Sequence, residues 1–181
     1  MFIIQQAINF AAKAHKNQYR KSSDIPYITH PFAVGMLLQA ANCSDDVIAA
    51  GILHDTLEDT STTYEELTEQ FGIHIANLVR AASEHDKSLP WTVRKQHTID
   101  RLKDANIEEI QVITADKFHN LNTIKDDLGI IGEKVWERFN RGKQDQHWYY
   151  ASIVKELAPR KSEFKLIPEL EKVVLEVFGL L

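Results

Sequence analysis

The chain has 181 residues, 44% hydrophobic and 26% charged, with a formal net charge of −5. That length suffices for one domain, spanning residues 1–181, with a real core, and the acidic balance argues against broad nucleic-acid affinity, which needs a basic field. Apolar stretches such as Val47 to Leu53 are far shorter than the roughly 20 residues of a membrane span, and MFIIQQAINF lacks the cationic flank of a secretory signal.

Apolar residues at helical spacing (Phe2, Ile3, Ala7, Phe10, Ala11, Ala14) predict a first helix over 2–18. Within its end and the following loop, YRKSSDIP, Lys13, Lys16, Arg20 and Lys21 form a basic patch with no acid between them. Pro31 opens a second helix at its first turn, where a missing N–H costs nothing. The single cysteine, Cys43, sits in a helix–helix turn; it excludes an internal disulfide and fits a reducing cytoplasm. Ser44 caps a third helix, with Asp45 and Asp46 favourable in its first turn. That helix carries Val47, Ile48, Ile52 and Leu53 to the pair His54-Asp55.

A polar turn follows, DTSTT. Thr63 and Glu66 have capping-box spacing and Gly72 closes the short helix between them. The pattern resumes from Ile73 to Ala82, breaks near Pro90 and runs again from Trp91 to about Lys103. Residues 107–125 predict another amphipathic helix, interrupted by Gly129 and Gly132. Two or three more helices follow, with Pro159 and Pro168 as breaks and the aromatic run QHWYYASIV as the terminal helix. No segment has sustained period-two alternation bounded by hairpin turns. The expected fold class is all-α, a compact multi-helix bundle.

Four residues carry the chemistry: His30 before a helix start, His54 and Asp55 at a helix end, and Asp116 inside a helix. Separate helices can converge such side chains on one ion in a bundle core. Imidazole plus carboxylate without thiolate favours manganese, iron or another borderline-to-hard divalent ion. Asp55 at a helix C-terminus opposes the helix dipole, so a compensating cation is expected. Glu58 and Asp59, in the run HDTLEDT, add acids to manage the protons of an activated water. His74, His85, His97 and His147 read as surface or packing histidines; His15 neighbours the basic patch, and His119 lies beside Asn120.

The order H…HD…D resembles the HD phosphohydrolase superfamily, and specifically its RelA/SpoT-type branch, including the free-standing small alarmone hydrolases of the metazoan SpoT-homologue kind. The matching runs are AAKAHKNQYRKSSDIPYITHP (11–31), AAGILHDTLEDT (49–60) and ADKFHNLNT (115–123), with FGIHIANLVRAASEHDKSLP (71–90) and the following RKQ as looser matches. The resemblance covers about residues 3–128. It implies an HD-domain bundle that removes the 3′-pyrophosphate of guanosine tetra- or pentaphosphate with one bound Mn²⁺. By position, it makes His30, His54, Asp55 and Asp116 the metal ligands. Glu58 and Asp59 become the acidic pair that orients or deprotonates water, and Arg20, Lys21, Asn120 and Thr123 the nucleotide contacts. Two positions depart from the family: Ile113 and Asn122 stand where basic residues are frequent, which puts weight on the question of substrate. The chain leaves no room for an appended synthetase, so a hydrolase-only, cytoplasmic protein acting on a small phosphorylated nucleotide is expected. Iron or cobalt remain alternatives to manganese, and NADPH an alternative substrate. A non-catalytic nucleotide-binding regulator is the reading from another class, and apolar helix faces leave a homo-oligomer open.

Overall fold

A computed structural model describes residues 2–21, 23–84 and 86–181. Those residues form helices α1 (Phe2–Ala14), α2 (Thr29–Ala40), α3 (Asp45–Leu53), α4 (Thr56–Asp59), α5 (Tyr64–Ala82), α6 (Trp91–Arg101), α7 (Ile107–Ile131), α8 (Lys143–Leu157) and α9 (Leu166–Phe178). Short 3-10 turns at Gly132–Arg138 and Ala158–Arg160 flank α8. The described residues hold no strand, only an isolated bridge between Tyr19 and Pro26. The all-α expectation is met.

The axis of the bundle is α3. Every residue from Val47 to Leu53 is buried, as a helix apolar on all sides must be, and α1, α2, α5 and α7 pack around it. The long α7 also packs on α9, which in turn lies against α8. Caps set the helix starts. The Ser44 hydroxyl accepts from Val47 N–H at 3.3 Å, and Thr63 from Glu66 N–H at 3.1 Å. Asn106 forms a reciprocal capping box with Glu109 at the start of α7.

Several boundaries differ from the sequence reading, each for a local reason. The first helix ends at Ala14, because the chain on either side of residue 22 folds back through Tyr27 N–H to Gln18 O and Arg20 N–H to Ile25 O, both at 2.8 Å. Gly72, at φ 82°, does break its helix, yet the chain resumes helical geometry at once and α5 continues to Ala82. In α7 the helix passes through Gly129 and stops only at Gly132, where φ is 63°. Pro168 lies in the first turn of α9 rather than between helices, where an N–H has no helical partner to lose. The aromatic run QHWYYASIV belongs to the penultimate helix α8, and α9 follows it.

Candidate metal centre

Two helices start the site. The short turn between α2 and α3 folds one back along the other, so the first turn of α2 meets the end of α3. Their contact is close: a Cβ on Gly51 would lie 2.3 Å from Leu38 Cδ1, and one on Gly35 would lie 2.5 Å from Ile52 Cγ1. Only glycine permits that approach, and it brings His30 and His54 face to face. The long α7 crosses this end of the pair and supplies Asp116.

The geometry is tight. His30 Nε2 and His54 Nε2 are 3.2 Å apart. Asp55 Oδ2 lies 3.0 Å from His54 Nε2 and 3.5 Å from His30 Nε2. Asp116 Oδ1 lies 3.2 Å from His30 Nε2 and 3.5 Å from His54 Nε2. His30, His54 and Asp116 are all buried. In the neutral tautomer His54 Nδ1–H donates to Gly51 O at 2.7 Å, which leaves the Nε2 lone pair aimed at the shared point. Four electron-rich atoms so close repel one another unless a cation lies among them. Nitrogen and oxygen donors without sulfur fit a divalent metal ion.

The surrounding groups hold the charges this requires. Burial disfavours ionised Asp116 and Asp55, but the Lys117 ammonium and the imidazoles outweigh it at Asp116, and His54 does so at Asp55; both carboxyls sit below the usual range. Lys117 Nζ is 2.6 Å from Asp116 Oδ2, and Asn120 Nδ2 donates to the other oxygen at 2.6 Å. Burial alone would lower His54, yet Asp55 and Asp116 raise it well above the ordinary histidine value, so a metal ion binding at Nε2 must displace a proton from it. His30 goes the other way, lowered by burial despite Asp116. Its Nδ1 is 2.8 Å from His119 Nδ1. Burial, His30 and Arg20 push His119 down to about 4; neutral His119 accepts while His30 Nδ1–H donates. A hydrogen-bonded partner of this kind fixes a ligand imidazole's tautomer and orientation.

The acid pair follows on α4. Glu58 Oε2 accepts from Glu84 N–H at 3.1 Å, and burial pushes the Glu58 carboxyl up. Asp59 pairs with Lys87 Nζ at 2.5 Å, while the same ammonium is 3.7 Å from Glu58 Oε1. Tyr27 donates to Asp55 Oδ2 at 2.6 Å and approaches Asp59 Oδ2 at 3.5 Å. Gln18 Nε2 donates to the Asp59 carbonyl at 2.6 Å.

Of the expected nucleotide contacts, Arg20 NH2 donates to Asn120 Oδ1 at 3.3 Å, and its guanidinium lies 5.7 Å from the Tyr27 ring centroid. Lys21 Nζ lies over Phe139 at 5.4 Å. The Thr123 hydroxyl bonds its own helix at His119 O. Ile113 is buried, and Asn122 Nδ2 turns back to Phe118 O at 2.8 Å. A groove of about 590 Å³ between α1 and the turn after α4, lined by Asn9, Lys13, Thr60 and Gln70 among others, includes none of the four metal-set residues.

Tyr27, Gln18, Lys87 and Lys117 had no sequence signal of their own, and His119 had a weak one: with Asp116, Asn120 and Thr123 it falls at the spacing of one helix face. His15 is buried, its Nδ1 2.7 Å from Gln18 Oε1. His74 forms an exposed pair with Glu108 at 3.2 Å, and His147 meets Leu180 O. His85 lies outside the described residues.

Comparison with known proteins bears on the family and the fold. The profile of the HD domain family matches residues 7–136. The chain is 38% identical over 147 residues to the Danio rerio protein named guanosine-3′,5′-bis(diphosphate) 3′-pyrophosphohydrolase MESH1, covering 78% of this chain and 81% of that one. The crystal structure of lmo0812 from Listeria monocytogenes superposes with a TM-score of 0.78 at 35% identity, over 83% of this chain and 99% of that one. A metazoan SpoT orthologue, described as hydrolysing ppGpp, shares the fold at TM-score 0.81 and 24% identity, over 100% of this chain and 98% of that one.

Proposed function

The chain belongs to the HD domain family, and on that premise we propose that it hydrolyses the 3′-pyrophosphate of guanosine tetra- and pentaphosphate. The products are GDP or GTP and pyrophosphate, and the ion is Mn²⁺ held by His30, His54, Asp55 and Asp116. The observation that carries this reading is a pair of imidazoles 3.2 Å apart, each with an oxygen of Asp55 and of Asp116 at 3.0–3.5 Å, His30, His54 and Asp116 forming the mutually close donor group, beside a separate acid pair. The named activity of a relative 38% identical over most of both chains supports the substrate.

A divalent ion in such a site polarises a phosphoryl oxygen and acidifies water. Asp59, joined to Asp55 through Tyr27, takes the proton of the attacking water. Glu58, its carboxyl raised by burial, passes a proton to the leaving 3′ oxygen. Arg20 grips phosphate through two N–H groups or stacks on the purine, functions a lysine performs less well. Asn120 and Tyr27 hold its guanidinium in place, and Lys21 and Thr123 complete the nucleotide contacts. Arg20, Lys21 and the bound ion itself would offset the pyrophosphate's charge as the water approaches. A cytoplasmic location goes with a nucleotide substrate and with Cys43, whose thiol burial pushes up to about 11.

The test is product analysis. Metal-stripped protein is offered guanosine tetraphosphate, pentaphosphate and NADPH, with divalent ions added back one at a time. Pyrophosphate and GDP or GTP, appearing with Mn²⁺, are expected. Orthophosphate from NADPH alone would transfer the same metal site to another substrate, and nucleotide binding without any product would make the protein a regulator.

A further inference from the structure

Residues 15–27 do more than connect α1 to α2. Their backbone is fastened by Tyr27 N–H to Gln18 O at 2.8 Å. From this one segment Gln18 holds the Asp59 backbone at 2.6 Å, and Tyr27 reaches the side chains beyond it. The phenol oxygen is 2.6 Å from Asp55 Oδ2, the same oxygen that approaches the two imidazoles at 3.0 and 3.5 Å, and 3.5 Å from Asp59 Oδ2. A hydroxyl carries one proton, and the shorter distance assigns it to Asp55. The phenol then stands as a spacer between the two carboxylates.

The ring is held on three sides. His15, buried and bonded to Gln18 Oε1 at 2.7 Å, lies 5.1 Å from it centroid to centroid. His30 is 6.0 Å away, edge to face, and the Arg20 guanidinium is 5.7 Å from the centroid. One tyrosine therefore touches a metal-set carboxylate, the neighbouring acid and the cation assigned to the nucleotide.

Resting on the phosphohydrolase reading, we propose that Tyr27 is a positioning residue: its hydroxyl fixes the Asp55 carboxylate and sets the distance of Asp59 from it, while its ring carries Arg20. The hydroxyl and the ring have separable consequences. Partners of this kind beside a ligand change metal affinity or turnover by about 10- to 100-fold when removed.

Tyr27→Phe removes the hydroxyl and keeps the ring. Its Mn²⁺ affinity, measured by titration without nucleotide, is expected to weaken about tenfold, and kcat at saturating Mn²⁺ to fall about 10- to 100-fold. KM stays near the wild-type value because Arg20 keeps its platform. Tyr27→Leu removes both parts and raises KM in addition. A merely structural tyrosine would produce no such split between kcat and KM. The proposal is overturned if Tyr27→Phe matches wild type in Mn²⁺ affinity, or if its kcat at saturating Mn²⁺ is unchanged. Should wild-type protein release no pyrophosphate from either guanosine substrate, the guanosine-substrate reading falls by itself, and the Mn²⁺ titration still judges the hold of Tyr27 on Asp55.

Discussion

Adjacent in sequence, Glu58 and Asp59 differ in surroundings: the first is bonded to a backbone N–H and raised by burial, the second pairs with the half-exposed Lys87. The double substitution Glu58→Gln, Asp59→Asn should lower kcat by about 10²–10⁴-fold, the usual scale for lost acid–base catalysis, while Mn²⁺ titration stays close to wild type. A variant that turns over normally would remove both residues from the mechanism. His30, His54, Asp55, Asp116, Glu58 and Asp59 were legible as a group because their residue types are rare in apolar helix ends and their order resembles a family. Tyr27 and Lys117 were not. A tyrosine in a polar loop and a lysine on a helix have ordinary solvent-facing readings, and nothing local says that each ends on a metal-set carboxylate. Arg20 and Asn120 do meet, whereas the Thr123 hydroxyl donates to its own helix, which leaves it only an acceptor's role toward the nucleotide in this rotamer.

Helix packing decides how accurately His30 and His54 face each other. At Gly51 even a methyl group would collide with Leu38, whereas Gly129 in α7 has nothing within 4 Å. Gly51→Val should cost about 1–3 kcal/mol by overpacking and weaken Mn²⁺ binding, since the carbonyl of that residue also orients His54. Gly129→Ala should instead stabilise α7 by about 0.5–1 kcal/mol. Thermal and denaturant unfolding of the two variants checks both signs; equal stability would show that the α2–α3 approach is slack. At this scale the starts of α3, α5 and α7 follow from side-chain caps, although the Asn106 box was not recognised from its spacing. Ends were harder. The first helix stops short because the 15–28 loop captures its own backbone groups, and α7 runs on because one exposed glycine weakens a helix without ending it.

Across the molecule, Glu84 joins distant parts. It follows α5, pairs with Arg94 and with Lys95 Nζ (2.5 Å) from α6, and offers its N–H to Glu58; Lys95 lies over Tyr149 of α8 at 4.7 Å. Burial opposes its charge, but the two cations prevail and its carboxyl is held below the ordinary value. A carboxyl lowered on folding contributes stability above its unfolded pKa, and that contribution disappears as pH falls through the folded one. Glu84→Gln should therefore be less stable than wild type by about 1–2 kcal/mol near neutrality, with the gap closing in acid; denaturant unfolding across that pH range would expose a constant gap as a packing effect instead. The sequence by itself determined an all-α chain, where most helices begin, and a donor set of imidazole and carboxylate suited to a divalent ion, because periodicity, caps and ligand chemistry are properties of neighbouring residues. Only the tertiary structure decided that His119 orients His30 and that Tyr27 stands between Asp55 and Asp59. Those relations span up to 89 residues of chain and exist only once buried faces have packed α2, α3 and α7 together.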